Sequence, residues 1–432
     1  MKLNAPKGTK DILPEEIYKW QYVEKCFMEV CSVFGYSEIR IPTFENTEVF
    51  SRGVGDTTDV VQKEMYTFTD KGSRSVTLRP EGTAGVARSF IENGMASRPF
   101  PVKLCYNITA FRYENVQKGR YREFHQLGVE AFGSAGPHID AELISMLVVF
   151  FSKLGIRDSM LRINSIGCPE CRSRYNSLLR DHLSTRFDDL CRVCRERYDR
   201  NPLRVLDCKE SGCKAITQDV PLLADNLCEE CYKHFIGLQA SLDSLGIAYE
   251  IDKRIVRGLD YYTRTVFEFI SDNVGTQGTI CGGGRYDGLI SRFGGGDIPG
   301  IGFALGVERL LMELDSRGFN YEFPYRRSLF LAGIGSEGTR YCERLCFELR
   351  KKGVIAQTEL TGRSLKAALK FADKSGCSHL MIIGQDELSA GKVKLKALSD
   401  GSETGFDTGA DAGDLAGTIA VFIQNDSSIK QH

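Results

Sequence analysis

The stretch from Arg257 to Phe269 reads RGLDYYTRTVFEF, and it combines a strand pattern with side chains that a strand does not require. From residue 264 to residue 270, polar residues alternate with β-branched and aromatic ones, which predicts a half-buried strand with one face on a core. Single arginines and tyrosines are usually ordinary surface residues. Their density at the start of this strand instead predicts a place where a ligand is bound.

The composition limits the classes of protein to which the chain can belong. At roughly 150 residues per domain, 432 residues predict about two or three domains. With 42% hydrophobic residues, 26% charged residues and a formal net charge of -1, the chain has ordinary globular composition, so any nucleic-acid contact must come from local basic patches. No apolar run approaches the ~18 residues of a membrane helix, and the N-terminus has no signal-peptide pattern. We expect a cytoplasmic protein.

The N-terminal part predicts a sheet with helices against it. Apolar residues at helical spacing from residue 15 to residue 34 predict a helix that Gly35 ends. Antiparallel strands are predicted for Ile39–Pro42, Glu64–Phe68, Val76–Leu78 and Val102–Tyr106, with a helix from about Thr83 to Asn93. Two further strands joined by a charged loop are predicted for Phe111–Tyr113 and Phe124–Phe132. This order is typical of an α+β fold.

A cysteine-rich segment interrupts the sheet pattern and predicts an inserted module at residues 167–243. It holds eight of the 15 cysteines, six of them in three C-x-x-C pairs. In a chain without a secretion signal, such pairs favour thiols or metal ligands over disulfides. Their spacing fits one or two tetrahedral Zn²⁺ sites, and a set of reduced thiols in a small helical module is the alternative.

The sheet pattern resumes at Ile251 and continues to a helix that starts near Val307. Residues 315–327 have the composition of a linker. Beyond them, strand and helix patterns alternate, which predicts a separate small α/β domain with a parallel sheet. The predicted elements are Leu329–Gly333, a helix to Lys352, Val354–Thr358, a helix at Ser364–Lys374, and His379–Gly384.

Two other runs carry cations in unusual places. In the first, Phe111–Glu114 followed by Lys118–Phe124, four cations lie on a predicted hairpin and its loop. Arg112, at the end of its strand, could fork its guanidinium onto a phosphate or a carboxylate, and bare surface charge is the alternative. The run Gly300–Leu311 is a small-residue strand that turns directly into a helix. Arg309 lies in the first turn of that helix, where the helix dipole disfavours a cation. A polyanion held nearby would account for it.

These two runs, together with Ile39–Phe44, resemble the three signature motifs of class II aminoacyl-tRNA synthetases. The stretch Arg257–Phe269 and the run Gly283–Gly288 are similar to two signatures particular to histidyl-tRNA synthetases of bacterial type. The resemblance covers nearly the whole chain in the expected order, and the class I signatures are absent. Further matching runs are Pro6–Asp11, Thr77–Thr83 and Phe124–Glu130.

The resemblance implies a fold, an activity and partners. It implies a class II catalytic domain at residues 1–325, with an antiparallel sheet flanked by helices and interrupted by the module at 167–243, and an α/β anticodon-binding domain at 326–432. The implied enzyme is a homodimeric ligase that activates histidine with ATP and transfers it to tRNA(His). The nine arginines between Arg172 and Arg204 would then form a patch for the tRNA backbone.

The resemblance also implies roles for individual residues. The α-amino group of histidine would be held by Glu81, Thr83 and Gln126, and its imidazole by Glu130, Tyr262 and Tyr261. Gly82 is a further implied histidine contact. Arg112 and Arg257 are the implied catalytic residues, at the α-phosphate and in contact with histidine. The other ATP contacts would be Arg120 and Arg309 on the β- and γ-phosphates, with Mg²⁺ on the leaving pyrophosphate, and Glu114 and Phe124 at the adenine.

Two other classes of protein compete with this interpretation. Non-catalytic relatives serve as regulatory subunits of the first enzyme of histidine biosynthesis, but these typically lack the anticodon domain and the run Arg257–Tyr262. A general RNA-binding module would not need Glu81, Glu130 and Tyr262 around an amino acid. Strand alternation predicts that His125 points away from the side of its strand that faces the substrates.

Overall fold

The computed structural model describes residues 3–55, 58–206, 208, 210–255, 257–271, 278–321, 328–409 and 411–425. The chain forms two compact units, Met1–Glu322 and Phe323–His432. Within the described ranges, no helix has the length and apolar content needed to cross a membrane. The predicted linker at 315–327 lies partly outside the described residues, and its first two residues continue a helix that ends at Ser316.

The larger unit is built on a broad sheet. Its described strands are β1 (Ser37–Glu38), β2 (Phe44–Asn46), β3 (Thr67–Thr69), β4 (Ser75–Leu78), β5 (Val102–Phe111), β6 (Glu123–Phe132), β7 (Met160–Ser165), β8 (Glu250–Ile251), β9 (Thr263–Ile270), β10 (Thr279–Arg285) and β11 (Gly300–Gly306). Among the described strands, eight form one sheet in the order β1-β5-β6-β11-β10-β9-β7-β8. The two outer pairs, β1 with β5 and β7 with β8, are parallel, and the inner neighbours are antiparallel.

Helices cover this sheet and form the inserted module. They are α1 (Ile17–Val33), α2 (Thr47–Val54), α3 (Thr83–Glu92), α4 (Pro137–Lys153), α5 (Pro169–Ser184), α6 (Arg192–Arg200), α7 (Ser211–Ile216), α8 (Glu229–Ser244), α9 (Leu289–Arg292) and α10 (Val307–Ser316). The predicted helix near the N-terminus is confirmed as α1, whose buried residues recur at helical spacing. Gly35 follows it at φ +77, a conformation that a side chain rarely adopts.

Side chains alternate along each strand, so one face of the large sheet packs on an apolar core and the other carries polar side chains. On β6, Leu127 and Val129 point into an apolar core shared with α1, α4 and α10. Gln126 and Glu130 belong to the opposite face. That second face is lined by glycine where large polar side chains cross it. A Cβ at Gly302 would lie 1.9 Å from Glu130 Oε2, so glycine on β11 leaves room for this carboxylate.

The strand predicted at Ile39–Pro42 is wrong. The strand is β1, at Ser37–Glu38, and after the Ile39 amide bonds to Cys105 the chain leaves the sheet. The side chain of Arg79 explains why the chain can leave: its Nη1 donates to the carbonyls of Ile41 at 2.7 Å and Pro42 at 3.1 Å. Backbone groups that a neighbouring strand would bond are satisfied by a guanidinium instead.

Three other strand predictions need correction. The runs Val102–Tyr106 and Phe111–Tyr113 are not separate strands, because β5 is continuous from Val102 to Phe111 and Arg112 and Tyr113 lie beyond its end. The strand predicted at Glu64–Phe68 starts only at Thr67, since Val60–Glu64 forms a short π-helix. It pairs with β4, and β2, β4 and β3 make a small separate sheet, which the apolar pattern alone does not distinguish from the large one.

The inserted module is helical and has its own small core. Helices α5, α6 and α7 pack around the buried side chains of Tyr175, Leu179, Cys194 and Val205. Helix α8 lies against α4 and returns the chain to the sheet. The boundaries predicted for this module, 167–243, stay a prediction.

The smaller unit contains the strands β12 (Ser328–Gly333), β13 (Ile355–Thr358), β14 (His379–Ile383), β15 (Lys392–Ala397) and β16 (Glu403–Asp407) and the helices α11 (Gly335–Lys351), α12 (Leu365–Lys374), α13 (Gln385–Ala390) and α14 (Ala412–Asn425). The order of its described strands is β13-β12-β14-β15-β16. The predicted α/β alternation is confirmed from β12 to β14, which pair in parallel. The fully parallel sheet is wrong, because β15 and β16 add an antiparallel edge.

Candidate active site

A pocket opens on the glycine-lined face of the large sheet, where β5, β6, β9, β10 and β11 meet. It contains the residues predicted from sequence except Gly82 and Glu130, which lie directly behind its wall. The predicted residues that line it are Glu81, Thr83, Arg112, Glu114, Arg120, Phe124, Gln126, Arg257, Tyr261, Tyr262 and Arg309. Residues far apart in sequence therefore converge, because β11 lies between β6 and β10 in the sheet.

One end of the pocket is acidic. The carboxylate of Glu81 accepts hydrogen bonds from the backbone amides of Thr83 and Ala84, both at 2.8 Å, at the first turn of α3. The Gly82 amide donates to Gln126 Oε1 at 2.9 Å, which fixes the orientation of that side chain. Burial raises the pKa of Glu81. A cation bound here would relieve the cost of burying this charge.

Glu130 lies behind Glu81 and is fully buried. It accepts hydrogen bonds from Thr83 Oγ1 at 2.6 Å, from Tyr106 Oη at 3.1 Å and from the hydroxyl of Tyr286. Burial is the main cause that raises its pKa to about 8, and the charge of Glu81 acts in the same direction. At neutral pH this carboxyl group therefore holds a proton for much of the time, because no cation among the described residues lies beside it to stabilise the buried negative charge.

Tyrosine rings form the wall between the acidic end and the strands. Tyr261 and Tyr262 are both buried, with ring centroids 4.7 Å apart. Tyr261 also meets Tyr286 edge-on at 5.6 Å. Burial raises the pKa of Tyr262, so its hydroxyl stays protonated and can donate to a neutral nitrogen acceptor.

The other end of the pocket is basic, and Arg257 crosses its floor. The guanidinium forms an ion pair with Glu268 and lies 5.8 Å from the centroid of the Tyr262 ring. Burial is the largest single influence and lowers its pKa, but the carboxylate of Glu268, together with Tyr262 and Cys281, outweighs burial, so the pKa of Arg257 is raised. Gly282 gives the guanidinium its space, since a Cβ there would lie 2.4 Å from both Nη atoms. Arg257 Nε is buried and finds no hydrogen-bond partner among the described residues.

Two further arginines approach each other at this end. Arg309 lies in the first turn of α10, as predicted, and its Nη1 donates to Thr279 O at 2.9 Å. Burial lowers the pKa of Arg309, and the positive charge of Arg120 lowers it further. Two cations that repel each other in a partly buried cleft are typical of a site for a polyanion.

Arg112 and Phe124 close the pocket at the end of the β5–β6 hairpin. Arg112 Nε donates to Pro80 O at 2.8 Å, and its guanidinium lies 5.4 Å from the centroid of the Phe124 ring. Glu114 pairs with Arg120 at 3.4 Å and with Arg112 at 3.8 Å. The ring and the cations together offer a flat aromatic surface beside groups that bind phosphate.

Two residues that hold Glu130, Tyr106 and Tyr286, are not predicted from the sequence. Tyr286 lies in the run Gly283–Gly288, which carried the family signature, so its position was marked although its role was not. Tyr106 gave no signal, because a tyrosine inside an apolar strand is usually core. Arg285, beside Tyr286, is fully buried and pairs with Asp140 and Asp287, which makes it a structural residue.

His125 lies outside the pocket, as strand alternation predicts. Its ring packs on Trp20 with centroids 4.7 Å apart, and its Nδ1 lies 3.1 Å from Glu308 Oε1. Away from the pocket, the cysteines of the inserted module form two groups of four, either of which can hold a metal ion. In the described part of the chain, these are the groups of three or more potential metal ligands that come together.

A sequence model described as histidyl-tRNA synthetase matches residues 8–310. The chain belongs to the histidyl-tRNA synthetase family. A second model, described as an anticodon-binding domain, matches residues 329–409 in the smaller unit. The predicted family, fold class and C-terminal domain are thereby confirmed.

Relatives in the histidyl-tRNA synthetase family align over almost the full chain. A histidine–tRNA ligase of Acetivibrio thermocellus is 60% identical over 403 residues, which cover 93% of this chain and 97% of the relative. One of Caldicellulosiruptor saccharolyticus is 54% identical, over 93% and 96% of the two chains. The structure is also similar to the crystal structure of apo histidyl-tRNA synthetase from S. aureus, with a TM-score of 0.81 and 38% sequence identity. The match covers 96% of this chain and 100% of that one.

Proposed function

We propose that the protein is an ATP-dependent ligase that activates L-histidine to histidyl-adenylate, releasing pyrophosphate, and then transfers histidine to the 3′ end of tRNA(His), releasing AMP. The observation that carries this proposal is a single pocket with buried carboxyl groups at one end and arginines at the other. An amino acid with a cationic amino group and a nucleoside triphosphate fit these two ends side by side. The family membership supports the same reaction.

The acidic end binds histidine in this proposal. Glu81, with Thr83 and Gln126, receives the α-ammonium group through charge-assisted and neutral hydrogen bonds, and Gly82 holds Gln126 in place. Glu130 and Tyr262 take the two imidazole nitrogens, with Tyr261 against the ring. Because a carboxyl group with a pKa of about 8 either donates or accepts near neutral pH, Glu130 suits a ring nitrogen in either tautomer. An apolar analogue would leave these buried groups unpaired, which gives specificity.

The basic end binds ATP and stabilises the reaction. Arg112 orients the histidine carboxylate and the α-phosphate, so that a carboxylate oxygen can attack phosphorus while the bond to pyrophosphate breaks. Arg257 contacts the same phosphate and the histidine carboxylate from the floor of the pocket, where its pairing with Glu268 fixes its position. Arg120 and Arg309 hold the β- and γ-phosphates, and Glu114 and Phe124 hold the adenine.

Mg²⁺ accompanies ATP in this proposal and is held by the phosphates. The carboxylates on the pocket wall are already engaged, since Glu81 accepts two backbone amides and Glu114 faces two arginines. No described group of three potential protein ligands lies at the pocket. The residues therefore do not form a dedicated magnesium site, and the arginines supply the positive charge that the protein itself contributes.

For tRNA, we propose that the smaller unit binds the anticodon and that the module contacts the backbone. Of the nine arginines in the predicted patch, five are exposed. Arg204 is buried, and Arg172, Arg180 and Arg197 are half-buried. The exposed ones, which are available for phosphates, are Arg174, Arg186, Arg192, Arg195 and Arg200. A cytoplasmic homodimer is the expected state by family resemblance, and sedimentation of the purified protein tests the dimer.

The proposed activity is tested by exchange of labelled pyrophosphate into ATP. We expect exchange that depends on histidine and is absent with leucine, phenylalanine or glutamine, followed by charging of tRNA(His) when tRNA is added. A folded sample that supports no histidine-dependent exchange in the presence of Mg²⁺ would contradict the proposal. Exchange without charging would restrict it to the first half-reaction.

A further inference from the structure

The inserted module brings eight cysteines into two compact groups that the proposed reaction does not use. We name the first group cluster A, formed by Cys168, Cys171, Cys228 and Cys231, and the second cluster B, formed by Cys191, Cys194, Cys208 and Cys213. Within each cluster, all four sulfur atoms lie within 4.8 Å of one another. Cluster A joins two C-x-x-C pairs whose members are at least 57 positions apart, so local sequence does not by itself bring them together.

The spacing of the sulfurs fits one metal ion in each cluster. A Zn–S bond of ~2.3 Å in a tetrahedron places the sulfurs about 3.8 Å apart. The sulfurs of Cys168 and Cys171 are 3.6 Å apart, and those of Cys191 and Cys208 are 3.9 Å apart. The two sulfurs of a disulfide lie ~2.05 Å apart, which is much closer than these pairs. In an iron–sulfur cluster the cysteines bind different iron atoms, so their sulfurs lie farther apart than around one ion.

Backbone amides point at the sulfurs in the way that metal thiolates require. The Cys228 amide donates to Cys171 Sγ at 3.1 Å in cluster A, and the Cys191 amide donates to Cys213 Sγ at 3.2 Å in cluster B. Each C-x-x-C pair also starts a helix, since Cys168, Cys191 and Cys228 directly precede α5, α6 and α8. Amides and helix N-termini together stabilise the negative charge of thiolates.

We propose that clusters A and B each bind one Zn²⁺ ion as a tetrathiolate site. Four sulfur ligands in a tetrahedron favour zinc among divalent ions, and a site with four protein ligands is structural, because no coordination position is left for a substrate. Both sites lie in the module and are separate from the pocket.

Cluster A closes the module at the sheet. Cys168 comes directly after Gly167, whose carbonyl accepts the amide of Arg264 at 2.9 Å, while the Ile166 amide donates to Arg264 O at 2.8 Å. Cys228 is the residue from which α8 starts back towards the sheet. A metal ion in cluster A therefore ties the outgoing and returning chains together next to β9.

Cluster B braces the segment that supports the loop of Arg257. Asn201 Nδ2 donates to Asp260 Oδ1 at 3.0 Å, and Arg204 Nη2 donates to Gly258 O at 2.7 Å. Both donors lie between Cys194 and Cys208, two ligands of cluster B. The ion in cluster B thus fixes the segment of Asn201 and Arg204, which in turn holds residues 258–260. In this way the ion positions the adjacent Arg257, whose guanidinium faces ATP in the proposed reaction. This is a positioning role, because no group of cluster B lines the pocket.

The first test is metal analysis of the full-length protein, purified without an affinity tag and without added metal. We expect about two zinc ions per chain, one for each four-cysteine site. Replacing bound zinc with Co²⁺ should give the sulfur-to-cobalt charge-transfer bands and the visible bands of a tetrahedral tetrathiolate. Iron with inorganic sulfide, or a chain with neither stoichiometric zinc nor these cobalt bands, would overturn the proposal. Activity does not enter this measurement, so its failure is distinguishable from failure of the proposed function.

Variants assign the ions to the clusters. Cys171→Ala and Cys213→Ala should each lose one zinc ion, and Cys346→Ala, a buried cysteine of the smaller unit, should keep both. Loss of zinc from the Cys346→Ala control, or full zinc in both cluster variants, would contradict the assignment. If a cluster variant does not fold, the cobalt spectrum of the unaltered protein still decides whether the tetrathiolate sites exist.

The positioning role of cluster B has its own readout. The Cys213→Ala variant should lower kcat for pyrophosphate exchange by about tenfold, with a histidine dissociation constant within about twofold of the unaltered value, because the site acts through the Arg257 loop. Cys171→Ala is the matched comparison, since the backbone beside Cys168 bonds to Arg264 and not to residues 257–260, so the loss of cluster A should change kcat less. An equal loss of kcat and of histidine affinity in both variants would show general unfolding and would overturn the positioning role.

Discussion

The two ends of the pocket are built in opposite ways. At the acidic end, the carboxyl groups of Glu81 and Glu130 are buried and already hold several hydrogen bonds from the protein. At the basic end, Arg120 and Arg309 repel each other across the cleft, and Arg257 keeps a buried Nε without a partner in the described part of the chain. One end is a preformed frame for a small cation, and the other is completed by an anion that the ligand brings.

This difference predicts separate consequences for substitutions at the two ends. Changes at the acidic end should weaken the binding of histidine, because its hydrogen-bonded carboxyl groups are already in place when the substrate binds. Changes at the basic end should slow the reaction or weaken ATP binding, because those contacts form as negative charge develops on the phosphates.

Arg257→Ala should lower the rate of pyrophosphate exchange by ~10²–10³-fold, because a fixed cation is removed from the position where charge develops. The histidine dissociation constant should rise far less than the rate falls, since the acidic end is intact and only the contact of Arg257 with the histidine carboxylate is lost. The rate and the binding constant are measured on the same samples. Arg257→Ala leaves the Glu268 carboxylate without its ion-pair partner. The control is therefore the double variant Arg257→Ala/Glu268→Gln, in which that charge is also removed. Full recovery of activity in that double variant would show that Arg257 serves only to neutralise Glu268.

Glu81→Gln should raise the KM for histidine and leave the KM for ATP unchanged. Loss of one partner of a buried charge pair costs ~2–3 kcal/mol, or about 30- to 150-fold in affinity. Steady-state exchange at varied histidine and varied ATP separates the two constants. An equal rise in both would show that the two ends do not act independently.

Glu130→Gln should change how stability depends on pH. The folded-state pKa of Glu130 is raised from 4.5 to about 8, so between these values the folded protein keeps a proton that the unfolded chain releases. Stability should therefore fall as the pH rises through this window, by ~1.4 kcal/mol per pH unit from this group, and level off above it. Glutamine removes this contribution. Urea unfolding followed by the fluorescence of Trp20, the one tryptophan of the sequence, compares the slopes at pH 6 to 8. Identical slopes would contradict the raised pKa.

Tyr286→Phe should weaken histidine binding by about fivefold, because one hydrogen bond of ~1 kcal/mol to Glu130 is lost. The matched control is Tyr36→Phe, since the hydroxyl of Tyr36 is buried and has no hydrogen-bond partner among the described residues. Calorimetric titration with histidine compares the two. If both variants bind like the unaltered protein, Tyr286 does not support Glu130.

His125→Ala should leave the rate of exchange and both KM values within about twofold, because this side chain lies on the opposite face of β6. The ring packs on Trp20 and bonds to Glu308, so a loss of thermal stability is the expected effect. A large fall in kcat at unchanged stability would show that His125 takes part in the chemistry.

Sequence alone was sufficient for what depends on local pattern and on family signatures. The strand β9 follows from alternation, with Arg257, Tyr261 and Tyr262 just before its start, and Arg309 in the first turn of α10 is conspicuous because the helix dipole disfavours it there. The convergence of these residues depends on strand order, which places β11 between β6 and β10. No local pattern encodes that order.

The residues that sequence missed are those whose role depends on a distant partner. Tyr106 and Tyr286 are 180 positions apart in the numbering, yet both donate to Glu130. Arg79 replaces a neighbouring strand by bonding the carbonyls of Ile41 and Pro42. Apolar periodicity identifies buried positions, but it does not say which hydroxyl meets which carboxyl group. The same limit applies to the cysteines, whose spacing left open whether they form one site, two sites or none.

Calorimetry with each ligand alone tests whether the two ends of the pocket bind different ligands independently. Histidine without ATP should bind to Arg309→Ala as to the unaltered protein, and weakly or not at all to Glu81→Gln. ATP with Mg²⁺ but without histidine should show the reverse, with affinity lost in Arg309→Ala and retained in Glu81→Gln. If either variant loses affinity for both ligands by a similar factor while remaining folded, the division of the pocket into an amino-acid end and a phosphate end is contradicted.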